Sequence, residues 1–340
     1  MTCIIKPASH FPRPRRGTAV ICSLLLLASF LAACQPARTV SPTPAASATE
    51  TSQPAAVTET ISPTAEITPS QTPAPLPVDF WKNLPIIPET VNARVREIYQ
   101  RGIALGNNPR VFSRIGDCAS AAPGFLVGFD RNYNLGEYTS LQPAIDYFKN
   151  SFERPSLAAK GGLNTEGLLT TLWTDEQCLG NESLLACQYR LDNPSIAFIS
   201  FGTNEAYYVH QDPVSFEHNM RIILDVTIAR GIVPILSTKA DDFEGDNTIN
   251  ATIARLAEEY ELPLWNFWLA VQPLPNQGMR DPAHLSTISF INFTDFSIPH
   301  SMEYGMQVRN LTALQMLYFL WEQLVVNPTV DGVGTATSTP

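Results

Sequence analysis

Three short stretches hold the side chains with chemistry to offer. Gly116-Asp117-Cys118 follows a run with strand character and presents a thiol. Gly202-Thr203-Asn204-Glu205 ends a second such run with a side-chain amide. Asp281-Pro282-Ala283-His284 sets a carboxylate three residues before an imidazole. A tight turn at Pro282 would let Asp281 fix the tautomer of His284 and stabilise the imidazolium formed when the ring takes a proton. A thiol beside such a ring can be held as the thiolate, which attacks esters and thioesters. The amide of Asn204, at the end of a buried strand, can point its NH2 at a developing oxyanion, a contact worth about 3 kcal/mol in the transition state. Each stretch has a plainer reading. Asp281 and His284 can be loop residues without contact, Asn204 a turn cap, and Cys118 half of a disulfide.

The remaining candidates are weaker. His10 lies in an apolar leader, His210 and His218 flank a helix start without metal-ligand spacing, and His300 sits in a loop with Pro and Ser. No His-Glu-x-x-His or Cys-rich zinc pattern occurs, so neither metal nor organic cofactor is expected. No Gly-x-Ser-x-Gly elbow occurs either. Ser120, two residues beyond Cys118, cannot inherit the strand-end position without rearrangement. Of the six cysteines, Cys3, Cys22 and Cys34 belong to the leader region. Cys178 and Cys187 bracket the short loop "CLGNESLLAC" and read as a local disulfide of the kind exported proteins use. A bond from Cys118 to either of them is the competing arrangement, and it would silence the thiol.

Strands and helices must bring these stretches together. "RVFSRIGD" is a first strand and "PSLAAKGG" a weak second one. "PSIAFISFG", "IVPILST" and "LPLWNFW" complete a set of about five, their unbroken apolar runs suiting strands covered on both faces. Between them run helical patterns. One begins at Asp212-Pro213, repeats through Phe216, Met220, Ile223, Leu224, Thr227 and Ile228, and closes at Gly231. A second carries Ile249, Ile253, Leu256 and Tyr260 on one face, and a last one from Gly305 carries Leu311, Leu314, Tyr318, Trp321 and Val325. Trp265, Phe267 and Trp268 read as packing for the last strand, and "QPLPNQGMRDPAHLS" as a loop at the cleft rim. The alternation implies an α/β fold with a mostly parallel sheet, whose ligands gather beyond the carboxyl ends of the strands. Cys118, Gly162 and Asn204 each follow a strand, as that rule requires.

In this order, the blocks resemble those of the SGNH hydrolases, the GDSL-type esterase and lipase superfamily. The resemblance spans the folded region. It matches Gly116-Asp117-Cys118 to the Gly-Asp-Ser block, Gly162 (or Gly161) in "KGGLNTEGLL" to the glycine block, Gly202-Thr203-Asn204-Glu205 to Gly-x-Asn-Asp, and Asp281-Pro282-Ala283-His284 to Asp-x-x-His. It implies a three-layer α/β/α sandwich with a flavodoxin-like sheet. It also implies that Cys118 attacks, His284 transfers the proton, Asp281 orients His284, and Asn204 joins the Cys118 and Gly162 amides in an oxyanion hole. Two departures stand out. Glu205 replaces the usual Asp, so any bond ordering that loop must be rebuilt, and Cys118 replaces the usual Ser. The expected function is a surface-anchored ester hydrolase acting on an ester-bearing small molecule, lipid or glycan. The alternative is an inactive SGNH-like domain that binds a carbohydrate or cell-wall ligand.

The ends of the chain add a location. Residues 1–33 read as a signal peptide: Arg13, Arg15 and Arg16 precede an apolar segment ending in Leu31-Ala32-Ala33-Cys34. That ending resembles the lipobox of bacterial lipoproteins, which implies a lipidated Cys34, membrane contact through it and a position at the cell surface; ordinary secretion is the alternative. Residues 34–79 read as a spacer, since Ser, Thr, Pro and Ala supply 28 of the 38 residues from 41 to 78, too little apolar surface to fold. Residues 80–328 form the expected hydrolase-like domain and 329–340 a polar tail. From Cys34 onward 18 basic residues face 32 acidic ones, a formal charge of −14 that argues against nucleic acid as a partner.

Overall fold

The computed structural model describes residue 77 and residues 79–209, 213–288 and 292–328, with 208 and 209 as backbone only. The signal, the lipobox, the spacer apart from residues 77 and 79, the tail, His10, His210 and the Asp212 cap lie outside the described residues. Four parallel strands, β1 (Asn108–Gly116), β2 (Pro194–Ser200), β3 (Val233–Ser237) and β4 (Leu264–Trp265), pair in the order β1-β2-β3-β4. Their apolar runs are buried almost without a break, as expected of strands covered on both faces. The covering helices are α1 (Ala93–Ala104), α2 (Cys118–Ala121), α3 (Gln142–Tyr147), α4 (Thr165–Leu169), α5 (Leu184–Asp192), α6 (Pro213–Ala229), α7 (Thr248–Glu259), α8 (Phe267–Val271) and α9 (Gly305–Trp321).

The two faces of the sheet have different cores. On one, Phe112 of β1, Phe198 of β2 and Trp265 of β4 meet Phe125, Phe148 and Phe152 in edge-on and stacked contacts. There α9 docks, and Thr312 accepts a hydrogen bond from Trp265 Nε1 at 3.1 Å. On the other, Ser113 of β1 donates to buried Asp192 at the end of α5, and α6 and α7 pack together and on β3. The result is a three-layer α/β/α arrangement. The α6 residues Phe216, Met220, Ile223, Leu224, Thr227 and Ile228 are all buried, and Gly231 closes the helix with φ +68°.

Three expectations need correction. "PSLAAKGG" is not a strand, so the sheet has four strands rather than about five. Only Ala159 bridges Gly116, in parallel. The amides of Leu157 and Ala158 go to the side chain of Gln188, and the edge of β1 is met by the hydroxyls of Ser151 and Ser156, so no second ladder forms. The segment 272–286 is not plain loop: β5 (Met279–Asp281) and β6 (His284–Leu285) make an antiparallel hairpin. In α9, Leu311 and Leu314 are buried as expected, but Tyr318 and Trp321 are only partly so. Its first half is buried all round, including Gln307, Arg309, Asn310 and Thr312. An apolar stripe cannot reveal a helix that lies inside the core.

Candidate active site

The predicted residues converge at the carboxyl end of the sheet. β1 ends at Gly116, and Asp117 caps α2, its carboxylate accepting from the Ala119 amide at 2.9 Å. Cys118 is therefore the first helical residue, half-buried at the strand end. Cys178 and Cys187 are bonded to each other with a 2.04 Å S–S distance, which removes the arrangement that would have consumed the Cys118 sulfur.

The segment after the single bridge comes in beside Gly116: Gly116 donates to Ala158 at 2.9 Å and Lys160 donates back to Gly116 at 3.1 Å. This carries Gly162, with φ +81°, alongside the start of α2. Asn204, almost fully buried beyond β2, donates its side-chain amide to the Leu163 carbonyl at 2.7 Å. Its second N–H has no acceptor among the described residues. Glu205 supplies the rebuilt bond that its extra methylene demands. Fully buried, it accepts from the Thr165 amide at 2.7 Å and from the Gly202 amide at 2.9 Å, tying the Gly162 loop to the Asn204 loop. Burial, helped by nearby Asp117, pushes its carboxyl above the ordinary glutamate range, against the pull of Thr165 and of its own amide.

The hairpin carries Asp281 and His284. Asp281 pairs with His284 across the Pro282-Ala283 turn, and the Asp281 carboxylate stands 2.7 Å from His284 Nδ1. It also accepts from the Ala283 and His284 amides and from Arg280. Partial burial works to raise its pKa, but the Ala283 amide, His284 and Arg280 outweigh burial and hold it down to about 2. An ionised carboxylate on Nδ1 leaves Nε2 as the proton-accepting nitrogen.

A small cavity of about 30 Å3 joins these parts: Asp117 and Ala119, which flank Cys118, line it together with Ala283 and Leu285, which flank His284. Charge couples the same parts, since Asp117 feels both His284 and Arg309. Burial pushes Asp117 up to about 6, opposed by the Ala119 amide and by Arg309 and His284. Beyond β3, buried Lys239 is braced by Asp241 at 2.9 Å, and Asp241 in turn accepts from Thr203 at 2.6 Å.

Two of these residues were not foreseen. Glu205 was read only as a departure from the usual Asp, and Arg309 not at all. The one visible signal for Arg309 was a lone cation in the apolar run of the last helix. Of the rejected candidates, Ser120 is buried beneath the site on α2, where Arg309 reaches its hydroxyl, while His218 is exposed and exposed His300 faces Glu303. Trp265 and Phe267 pack in the core, as expected of the last strand.

No protein-family model and no curated protein matches this chain. Among solved structures it is similar to TesA, at 16% identity over 64% of this chain and 99% of that one, with a TM-score of 0.39. It is similar also to a GDSL-like lipase from Bacteroides thetaiotaomicron, at 15% identity over 66% of this chain and 96% of that one, TM-score 0.37. A third is a peptidoglycan O-acetylesterase, at 16% identity over 50% of this chain and 46% of that one, TM-score 0.31. At such identities the likeness is one of fold.

Proposed function

We propose that this chain is an SGNH-type carboxylic-ester hydrolase in which Cys118 replaces the usual serine. The observation that carries the reading is the Asp281–His284 pair, 2.7 Å apart on a hairpin that lines the same cavity as the start of α2. His284 takes the thiol proton of Cys118, and the thiolate attacks the ester carbonyl. The amides of Cys118 and Gly162 and the Asn204 side chain hold the oxyanion. As the carbon–oxygen bond breaks, the imidazolium returns its proton to the departing alcohol. Water then attacks the thioester, giving a proton to His284, and the carbon–sulfur bond breaks to release the acid and restore the thiol. The lipobox-like Cys34 and the spacer support a protein anchored at the outer surface, acting on acyl or acetyl esters of an extracellular glycan or lipid.

Hydrolysis of short-chain esters and acetylated glycans by the full chain is the direct test, beside C118S, C118A and H284A. Turnover in the parent that is lost in C118A and H284A is the expected result. Turnover in C118S alone means that the cradle is intact but the native thiol incompetent, which favours the binding-domain reading. Inactivity of every variant rejects the hydrolase.

A further inference from the structure

One charged side chain near this site has no role in the steps above. Arg309, on α9, is 3% exposed. Its guanidinium lies 4.6 Å from the centre of the Phe125 ring and 5.0 Å from those of Trp265 and Phe267. Nη2 donates to Ser120 Oγ at 3.4 Å, and Nε is buried without a partner among the described residues. Arg309 also lines the cavity shared by the neighbours of Cys118 and His284. No carboxylate forms an ion pair with it among the described residues.

A buried guanidinium is costly unless negative charge answers it. The groups whose charge Arg309 feels are Asp117 and Cys118, which work against the burial that brings it down to about 10. Asp117, ionised above about pH 6, is covalently next to Cys118, and alone it would disfavour a thiolate there. From other elements, His284 on the hairpin, Glu205 beyond β2, and Lys239 with its two carboxylate partners Asp241 and Glu244 beyond β3 face the same cluster, where acidic groups outnumber basic ones. Arg309 brings positive charge to Asp117 and Cys118 from α9. We infer that Arg309 is a positioning residue of this site: from inside the core it neutralises Asp117 and holds the Cys118 sulfur as the nucleophilic thiolate. Arginine suits the task because it stacks on aromatic faces and keeps its charge when buried. The inference rests on Cys118 being the nucleophile.

The test reads the thiol directly. The full, unreduced chain is alkylated with iodoacetamide across a pH series, and the rate at Cys118 is followed on its peptide by mass spectrometry. The parent should titrate below the ordinary thiol value of about 8.5. R309M should raise the midpoint by about one unit or more and slow alkylation at neutral pH about tenfold. R309K should keep most of the parent's behaviour, because it keeps the charge. R309Q is read alongside, so that an uncharged variant remains if R309M does not fold. An unchanged midpoint in a folded uncharged variant overturns the inference, as does an R309K shift as large as that of R309M. An Arg309-dependent midpoint without ester turnover rejects the hydrolase reading alone; turnover with a midpoint indifferent to Arg309 rejects only this one.

Discussion

At the scale of single residues, the site depends on polar groups whose partners are specific. Asn204 spends one N–H on Leu163; on the proposed role of its other N–H as an oxyanion donor, N204A is expected to lower kcat for a small ester by about 10²–10³, with KM changed far less. Steady-state kinetics decide this. Asp117 carries a pH signature. Its folded-state pKa of about 6 lies above the ordinary 3.8, so folding favours the neutral form. Its stabilisation is fully present below about pH 4 and is lost as pH rises through about 6, an effect of about 3 kcal/mol. D117N keeps a capping oxygen without the charge. Its Tm should therefore fall less than the parent's between pH 4 and pH 8, as thermal melts across pH will report.

At the scale of elements, short devices place these groups. The hairpin makes the Asp281–His284 contact a matter of cross-strand pairing, so its geometry does not wait on distant packing. D281N should leave the hairpin in place while kcat falls by about 10⁴. Because Asp281 titrates near pH 2, below its ordinary 3.8, its contribution to stability is present above that ordinary value and fades as the solution is acidified towards 2. The turn after β2 has less latitude. Gly202 has φ +129°, and an added Cβ would stand 2.6 Å from Ile249 Cγ2. G202A is expected to destabilise the fold by about 1–3 kcal/mol and to disturb the Glu205 bridge to Thr165. A lowered Tm together with reduced turnover is the expected pair of readings.

At the scale of the molecule, a buried sheet brings together groups that are far apart in the chain, and a local cross-link ties a surface loop to α5. The Cys178–Cys187 bond closes a loop with a sequence separation of 9, worth about 3 kcal/mol on the chain-entropy view. Reducing it should lower Tm by roughly 6–12 °C. The strands with long apolar runs were legible because burial on both faces leaves no polar alternation to confuse them. "PSLAAKGG" was not, because whether an extended segment joins a ladder depends on its neighbours, and here Gln188, Ser151 and Ser156 took the hydrogen bonds. Local relations were therefore set by the amino-acid order itself: Asp281 near His284, Cys178 near Cys187, and a thiol, an amide and an imidazole at the ends of their elements. Only the tertiary structure decided that Glu205 would join two loops and that Arg309 would lie caged in aromatic rings beside Ser120. Periodicity records that a residue is buried, whereas the partner of a buried charge is chosen by long-range packing among segments that the chain order keeps apart.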